Sequence, residues 1–228
     1  MADKTAIQCK VVLIGESGVG KTSIINRYIS NTFSNVLTAT PGASFTSKTV
    51  MFEDYKQSIK FEIWDTAGQE KYRSLAKVFY KTASVCILVY DICRKASFEE
   101  LKKYWINEVK ANASSNLCNL IFNNNFFFIN IVLAIAANKD DMYENEEVDE
   151  NEAKNLASEL NAIFQKTSAK ESHGIEDLFK KIGEKILNPK GGNNIATQEG
   201  KNTNNDNNKK DTVKLGGKNG GKQKGKCC

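Results

Sequence analysis

An α/β fold with a mostly parallel sheet, covered by helices on both faces, is predicted by two observations. Short apolar segments of strand character alternate with amphipathic helical ones, as at Phe98 to Ala111 and Glu150 to Asn161. The apolar run Cys9 to Ile14 also leads directly into a glycine-rich stretch and then a helical pattern. Folds of this class bind ligands at the carboxyl ends of their strands. The 228 residues suit one domain, 1–188, and a tail, 189–228. At 40% hydrophobic and 26% charged, the composition is that of an ordinary globular protein.

The first strand candidate ends in Gly15-Glu16-Ser17-Gly18-Val19-Gly20-Lys21-Thr22, which fits G-x-x-x-x-G-K-[ST]. Glycines let the backbone curl so that its N–H groups point inward at phosphate oxygens. A helix starting near Lys21 adds its positive N-terminal end. Lys21 would reach the β- and γ-phosphates, and the Thr22 hydroxyl would hold Mg²⁺. The plain alternative is a glycine-rich turn after a strand. The downstream segments argue against it.

The strand Lys60 to Trp64 leads into Trp64-Asp65-Thr66-Ala67-Gly68-Gln69-Glu70. Asp65, at the strand end, could hold a Mg²⁺-bound water. Gly68 can present its N–H to a γ-phosphate, and Gln69 can orient an attacking water.

The strand Ile131 to Ala136 precedes Asn138-Lys139-Asp140-Asp141. The Asp141 carboxylate can accept two hydrogen bonds, from the N1–H and 2-amino group of guanine. Adenine lacks that donor pair and would leave polar groups unpaired. Lys139 can lie along the base, and Asn138 can tie this loop to the phosphate loop. Thr167-Ser168-Ala169-Lys170 follows another apolar segment and would close the base pocket. The last amphipathic helix spans Ile175 to Leu187, and Pro189 marks its end.

These motifs, in this order from Gly15 to Lys170, resemble those of the Ras-superfamily small GTPases, and of the Rab family within it. The resemblance covers residues 8 to 187 apart from one insertion. It implies a P-loop NTPase small G domain with a six-stranded sheet, GTP and GDP as substrate and product, and Mg²⁺ as cofactor. Gly15, Ser17, Gly18, Val19 and Gly20, with Lys21, Thr22 and Ser23, would form the phosphate site. Phe33 stands where these proteins place an aromatic against the guanine ring. Thr40 stands where the first switch threonine coordinates Mg²⁺ and meets the γ-phosphate. Metal ligands would be Thr22, Thr40 and, through water, Asp65. Gln69 and Lys21 would be catalytic, and Gly68, Asn138, Lys139, Asp141, Ser168, Ala169 and Lys170 would complete the nucleotide site.

Contacts of Thr40 and Gly68 with the γ-phosphate exist only with GTP, so hydrolysis would release both segments. Phe45, Trp64 and Phe79 match the aromatic triad with which Rabs meet effectors. Lys71-Tyr72-Arg73-Ser74-Leu75 and Phe79-Tyr80-Lys81 match the second-switch pattern, with Lys71 and Lys81 where Arg is usual. Gly42-Ala43-Ser44-Phe45 and Ser74-Leu75-Ala76 lean toward the early-endosomal subgroup. An exchange factor, a GTPase-activating protein, a GDP-dissociation inhibitor, prenylation machinery and GTP-dependent effectors are the implied partners. The implied location is the cytoplasmic face of endosomal or vesicle membranes, with a cytosolic pool.

Two departures stand out. Pro41 replaces the usual β-branched aliphatic residue. It keeps Thr40 extended, which is compatible with Mg²⁺ contact, and alters the recognition surface. Residues 117 to 130 are an apolar insertion, with two apolar runs around Asn123 to Asn125 that could form a hairpin. Three readings of it stand: a surface insertion that docks on a partner, a loop folded against the body, or a short translated intron. Serine at Ser17 is compatible with hydrolysis. No arginine is obviously placed to act in cis on the γ-phosphate, so the intrinsic rate should be slow and raised by a partner.

The tail from Pro189 carries nine Lys against one Glu and two Asp, a charge of +6 within a chain of +5. Its Asn, Gly and Lys cannot bury enough surface to offset ordering entropy, so it should be a flexible tether. The Rab resemblance implies a geranylgeranyl group on each of Cys227 and Cys228. Two lipids hold a membrane stably where one does not. Lys218, Lys222, Lys224 and Lys226 would add attraction to anionic headgroups. Nucleic-acid binding by these lysines is disfavoured by the lack of interleaved aromatics, and a purely solubilising tail is the other alternative. Cys9, Cys86 and Cys93 read as buried thiols, and no C-x-x-C pair suggests zinc. His173 reads as a solvated loop residue. No signal peptide precedes the first strand and no run reaches membrane-spanning length, so a cytosolic body is expected.

Overall fold

The computed structural model of the chain describes residues 6–35, 40–69, 73–113, 118–122, 125–129 and 131–189. The expectations for Glu70 to Tyr72 and for the tail, including its lysines, Cys227 and Cys228, lie outside those residues.

Six strands make the main sheet: β1 (Ile7–Ile14), β2 (Ala43–Phe52), β3 (Gln57–Thr66), β4 (Val85–Asp91), β7 (Val132–Asn138) and β8 (Ile163–Thr167). Their order is β2-β3-β1-β4-β7-β8. Every pairing is parallel except β2 with β3, where Phe45 lies opposite Trp64. A parallel sheet needs a crossover between neighbours, and here the crossovers are helices. They are α1 (Lys21–Ser30), α2 (Arg73–Tyr80), α3 (Lys95–Glu100), α4 (Ile106–Ala113) and α5 (Glu150–Glu159), and a last helix, α6 (Ile175–Leu187), follows β8. A single π-helical turn, Leu101–Trp105, joins α3 to α4. The helix expected over Phe98 to Ala111 is therefore one continuous path with a wider turn inside it.

Strand residues alternate between two cores, one on each face of the sheet. Cys9, Val11 and Leu13 of β1 pack with Ile24 and Tyr28 of α1 and with Leu178, Phe179 and Ile182 of α6. Val12 and Ile14 face Phe98, Leu101, Trp105 and Val109 on the other side. Because β4 lies at the centre, all seven of its residues are buried, which accounts for its unbroken apolar run. Gly183 of α6 lies flat against the Phe52 ring, where a side chain would collide.

The insertion does contain a hairpin. β5 (Cys118–Phe122) and β6 (Asn125–Ile129) pair antiparallel as a separate two-stranded sheet. Cys9 and Cys86 are buried as expected. Cys93 is not; it sits half-buried on the loop after β4, because the strand ends at Asp91. Among the described residues, no helix is long and apolar enough to cross a membrane.

Candidate functional site

The carboxyl ends of β1, β3, β4, β7 and β8 converge on one region, and β1, β3, β7 and β8 each deliver one of the expected segments. After β1, Gly15, Gly18 and Gly20 all take positive φ, of 147°, 78° and 97°. Gly20 caps α1, and Lys21 is its first residue. A side chain at Gly20 would run into the Asn138 amide, so the loop and the β7 end touch backbone to side chain.

Lys21 is buried, and its Nζ donates to the carbonyls of Gly15 and Glu16 at 2.9 Å each. Burial pulls its pKa down to about 8, against the opposing pull of Asp65 and Glu16. A buried ammonium held, among the described residues, by two carbonyls has strong capacity for a further anion. Gly68 lies against the Glu16 backbone and the Lys21 ammonium, leaving no room for a side chain there.

Three oxygen donors meet beside it. Thr22 Oγ1 donates to Asp65 Oδ2 at 2.6 Å and lies 2.9 Å from Thr40 Oγ1, which is 3.5 Å from the same carboxylate oxygen. The strand β3 runs one residue past Asp65, so this carboxylate is fixed within the ladder rather than at its end. Burial raises the Asp65 pKa, while bonds from Thr22, the Lys21 charge and Thr40 offset part of the rise. Asp65 Oδ1 is buried and has no hydrogen-bond partner among the described residues. Two hydroxyls, a carboxylate and an orphaned carboxylate oxygen fit a hard cation that keeps some of its waters. Pro41 is accommodated: Thr40 reaches its partners, and the Gly42 carbonyl accepts the Ala67 N–H at 2.7 Å. Gln69 is half-buried at the end of the described segment.

A cleft of about 420 Å³ extends from the glycine loop to the β7 and β8 ends. Phe33, Lys139, Asp141, Ala169 and Lys170 are among its lining residues. The Asn138 amide donates to the Val19 carbonyl at 2.8 Å. Asp141 accepts the Ser168 hydroxyl at 2.6 Å, and Lys170 stands 3.7 Å from its other oxygen. Lys139 takes a left-handed φ of 69° and is held by Asp91 at 2.6 Å. His173 is exposed, with Nδ1 3.5 Å from Asp140 and its backbone bridged to Ser168, so it buttresses the base loop from outside.

On the outer surface, Phe45, Trp64 and Phe79 form a contiguous row. Ring centroids are 5.1 Å apart for Phe45 and Trp64 and 4.9 Å for Trp64 and Phe79. Phe45 is 53% exposed, which marks the row as a surface that another molecule can cover.

Two arginines were not legible in the sequence. Arg27 of α1 donates to the carbonyls of Ala169 at 2.7 Å and Lys170 at 2.9 Å. Arg94, after β4, donates to the Ser17 carbonyl at 2.8 Å. The sequence places no arginine obviously to act in cis on the γ-phosphate; Arg94 does touch the phosphate loop, through the Ser17 carbonyl. Neither contact leaves a local signal, because the partners are 142 and 77 residues away.

The Ras family model matches residues 10–188. The chain belongs to the Ras family. Within it, similar proteins include several Rabs. RabJ of Dictyostelium discoideum is 40% identical over 80% of this chain and 64% of its own length. Rab5A of rice is 39% identical over 78% of this chain and 79% of its own, and human Rab-22A is 40% identical over 78% and 84%. This Rab-type small GTPase is accordingly a GTP hydrolase of membrane traffic, with Rab5 and Rab22 proteins among its relatives.

Proposed function

We propose that this Rab-type protein binds GTP and GDP in the cleft between the glycine loop and the β7 and β8 ends, and switches its effector surface by hydrolysis. The observation that carries the reading is the meeting of Thr22, Thr40 and Asp65 beside the buried ammonium of Lys21. Thr22 and Thr40 would hold Mg²⁺ directly and Asp65 through water; the ion, when bound, supplies positive charge to the polyphosphate. Lys21 stabilises charge on the phosphates, the N–H of Gly68 meets the terminal one, and Gln69 orients the attacking water. Asp141 accepts from the guanine edge, Phe33 and Lys139 flank the base, and Ser168, Ala169 and Lys170 close the pocket.

Release of Thr40 and Gly68 after hydrolysis loosens the flanks of the Phe45, Trp64 and Phe79 row, so effectors favour the GTP form. The Rab5 and Rab22 relatives support the cytoplasmic face of endosomal and vesicle membranes as its place of action. Geranylgeranyl groups on Cys227 and Cys228, helped by the basic tail, would anchor it there. An exchange factor, a GTPase-activating protein, a GDP-dissociation inhibitor and the prenylation machinery complete the cycle.

Single-turnover hydrolysis by the full chain, with and without a Rab GTPase-activating protein, tests this. Slow turnover that the activator raises by several orders of magnitude, and that Gln69→Leu abolishes, is expected. Tight GTP binding with no turnover under either condition would leave a non-switching scaffold.

A further inference from the structure

The loop that follows β4 touches both halves of the proposed nucleotide site. Asp91 holds Lys139 on the base side at 2.6 Å, and three residues later Arg94 holds the phosphate loop. The turn between them is tightly built. Asp91 accepts the Cys93 N–H at 3.0 Å, and the Ser97 hydroxyl bonds the Asp91 N–H and the Arg94 carbonyl. Arg94 therefore starts from a fixed base.

Among the described residues its guanidinium has two partners, both on the loop. One terminal nitrogen donates to the Ser17 carbonyl at 2.8 Å and lies 3.5 Å from the Glu16 carboxylate. Arg94 Nε and Glu16 Oε2 are each buried, and neither atom has a hydrogen bond among the described residues. Glu16 is close enough to act electrostatically on Lys21, as Arg94 is with the opposite sign. A bare carboxylate at that distance would repel the same phosphates that Lys21 attracts.

The Ser17 bond has a geometric consequence. The C=O of Ser17 and the N–H of Gly18 belong to one planar trans peptide, so they point in opposite directions. Holding the carbonyl on Arg94 turns the Gly18 N–H to the side away from the guanidinium. Gly18 has a φ of 78° and nothing within 4 Å of where a side chain would stand, so no side-chain packing braces that residue. An anion-binding loop works only when its N–H groups converge before the anion arrives.

We propose that Arg94 is a positioning residue of the phosphate loop: it neutralises Glu16 and orients the Ser17–Gly18 peptide, and so sets how long bound nucleotide is retained. The inference rests on the nucleotide site proposed above. Its contacts are with the Ser17 carbonyl and the Glu16 carboxylate, so in this proposal it acts through the loop and not on the transferred phosphoryl group.

Release of fluorescently labelled GDP from the full chain in Mg²⁺ tests it. Arg94→Ala should release GDP about tenfold faster than wild type, in line with loss of a charge-assisted bond. Arg94→Lys, which keeps the charge but not the planar fork, should fall between them. Glu16→Gln in the Arg94→Ala background should recover a large part of the loss, a coupling that simple loss of packing does not produce. Should Arg94→Ala fail to fold, Arg94→Gln carries the same comparison with a neutral donor. Release within twofold of wild type, or a double variant as fast as Arg94→Ala, overturns the proposal. Wild-type protein that retains no GDP overturns the nucleotide site itself, and the two failures are thereby distinct.

Discussion

The side-chain amide of Asn138 donates to the main-chain carbonyl of Val19 at 2.8 Å, joining the end of β7 to the glycine loop. Its own carbonyl oxygen accepts the Thr167 hydroxyl at 3.1 Å, so β8 is held in the same knot. Asn138 and Thr167 are both buried, and water cannot replace either bond cheaply. Asn138→Ala should cost about 1–3 kcal/mol, since it leaves buried partners unsatisfied. GDP release and thermal unfolding should both report it. A change in melting alone, with GDP release unaltered, would detach this knot from the nucleotide site.

In the proposed site, base choice would rest on the acceptor character of one carboxylate. Asp141 offers only acceptors, and Ser168 fixes one of its oxygens. Xanthine carries an oxygen where guanine carries the 2-amino group. Asp141→Asn turns part of the acceptor set into a donor, so it should weaken GDP binding by about a hundredfold or more and favour xanthosine diphosphate. Competition between the two diphosphates measures the exchange of preference. An unchanged preference for GDP would falsify the assignment of Asp141.

The orphaned Oδ1 of Asp65 predicts how metal removal behaves. Chelation of Mg²⁺ should speed GDP release from the wild type by at least about tenfold, because the nearby donors are hard oxygens suited to that ion. Asp65→Ala should release GDP fast already and respond little to chelation. A variant that still shows the full chelation response would remove Asp65 from the metal site.

Gly183 supplies a contrast far from the cleft. Gly183→Ala pushes a methyl group into the Phe52 ring. Overpacking of this kind costs about 1–3 kcal/mol, and the melting temperature should fall by several degrees. GDP release should stay at the wild-type rate. A variant that loses both together would mean that this core communicates with the nucleotide site.

Local pattern made much of this legible. α6 runs from Ile175 to Leu187 as its apolar spacing and the following Pro189 require. The glycine loop, Asn138 and Ser168 each follow an apolar strand, and parallel strands bring such followers to one end of the sheet. The strand bounds were less legible. β3 extends to Thr66 because it pairs with Ala43 of β2, and its hydroxyl bonds the Leu13 carbonyl across the sheet at 2.6 Å; both are long-range contacts with no local trace. Arg27 and Arg94 were invisible for the same reason. Each is a single long polar side chain on an element read for other features, and its role exists only once distant loops are adjacent.

The register of the antiparallel edge has one more effect. Phe45 pairs with Trp64, and the next residue along β3 is Asp65. Neighbours on a strand point to opposite faces. Trp64 thus joins the exposed aromatic row, while Asp65 turns inward to Thr22 and Thr40. In the switch proposed above, metal contact and effector face are separated by a single peptide unit. A shift of the Asp65 carboxylate on loss of the ion would move the aromatic face with it, and a partner clamped on that face would in turn stiffen the carboxylate, so recognition and nucleotide state would read the same few ångströms of backbone from its two sides.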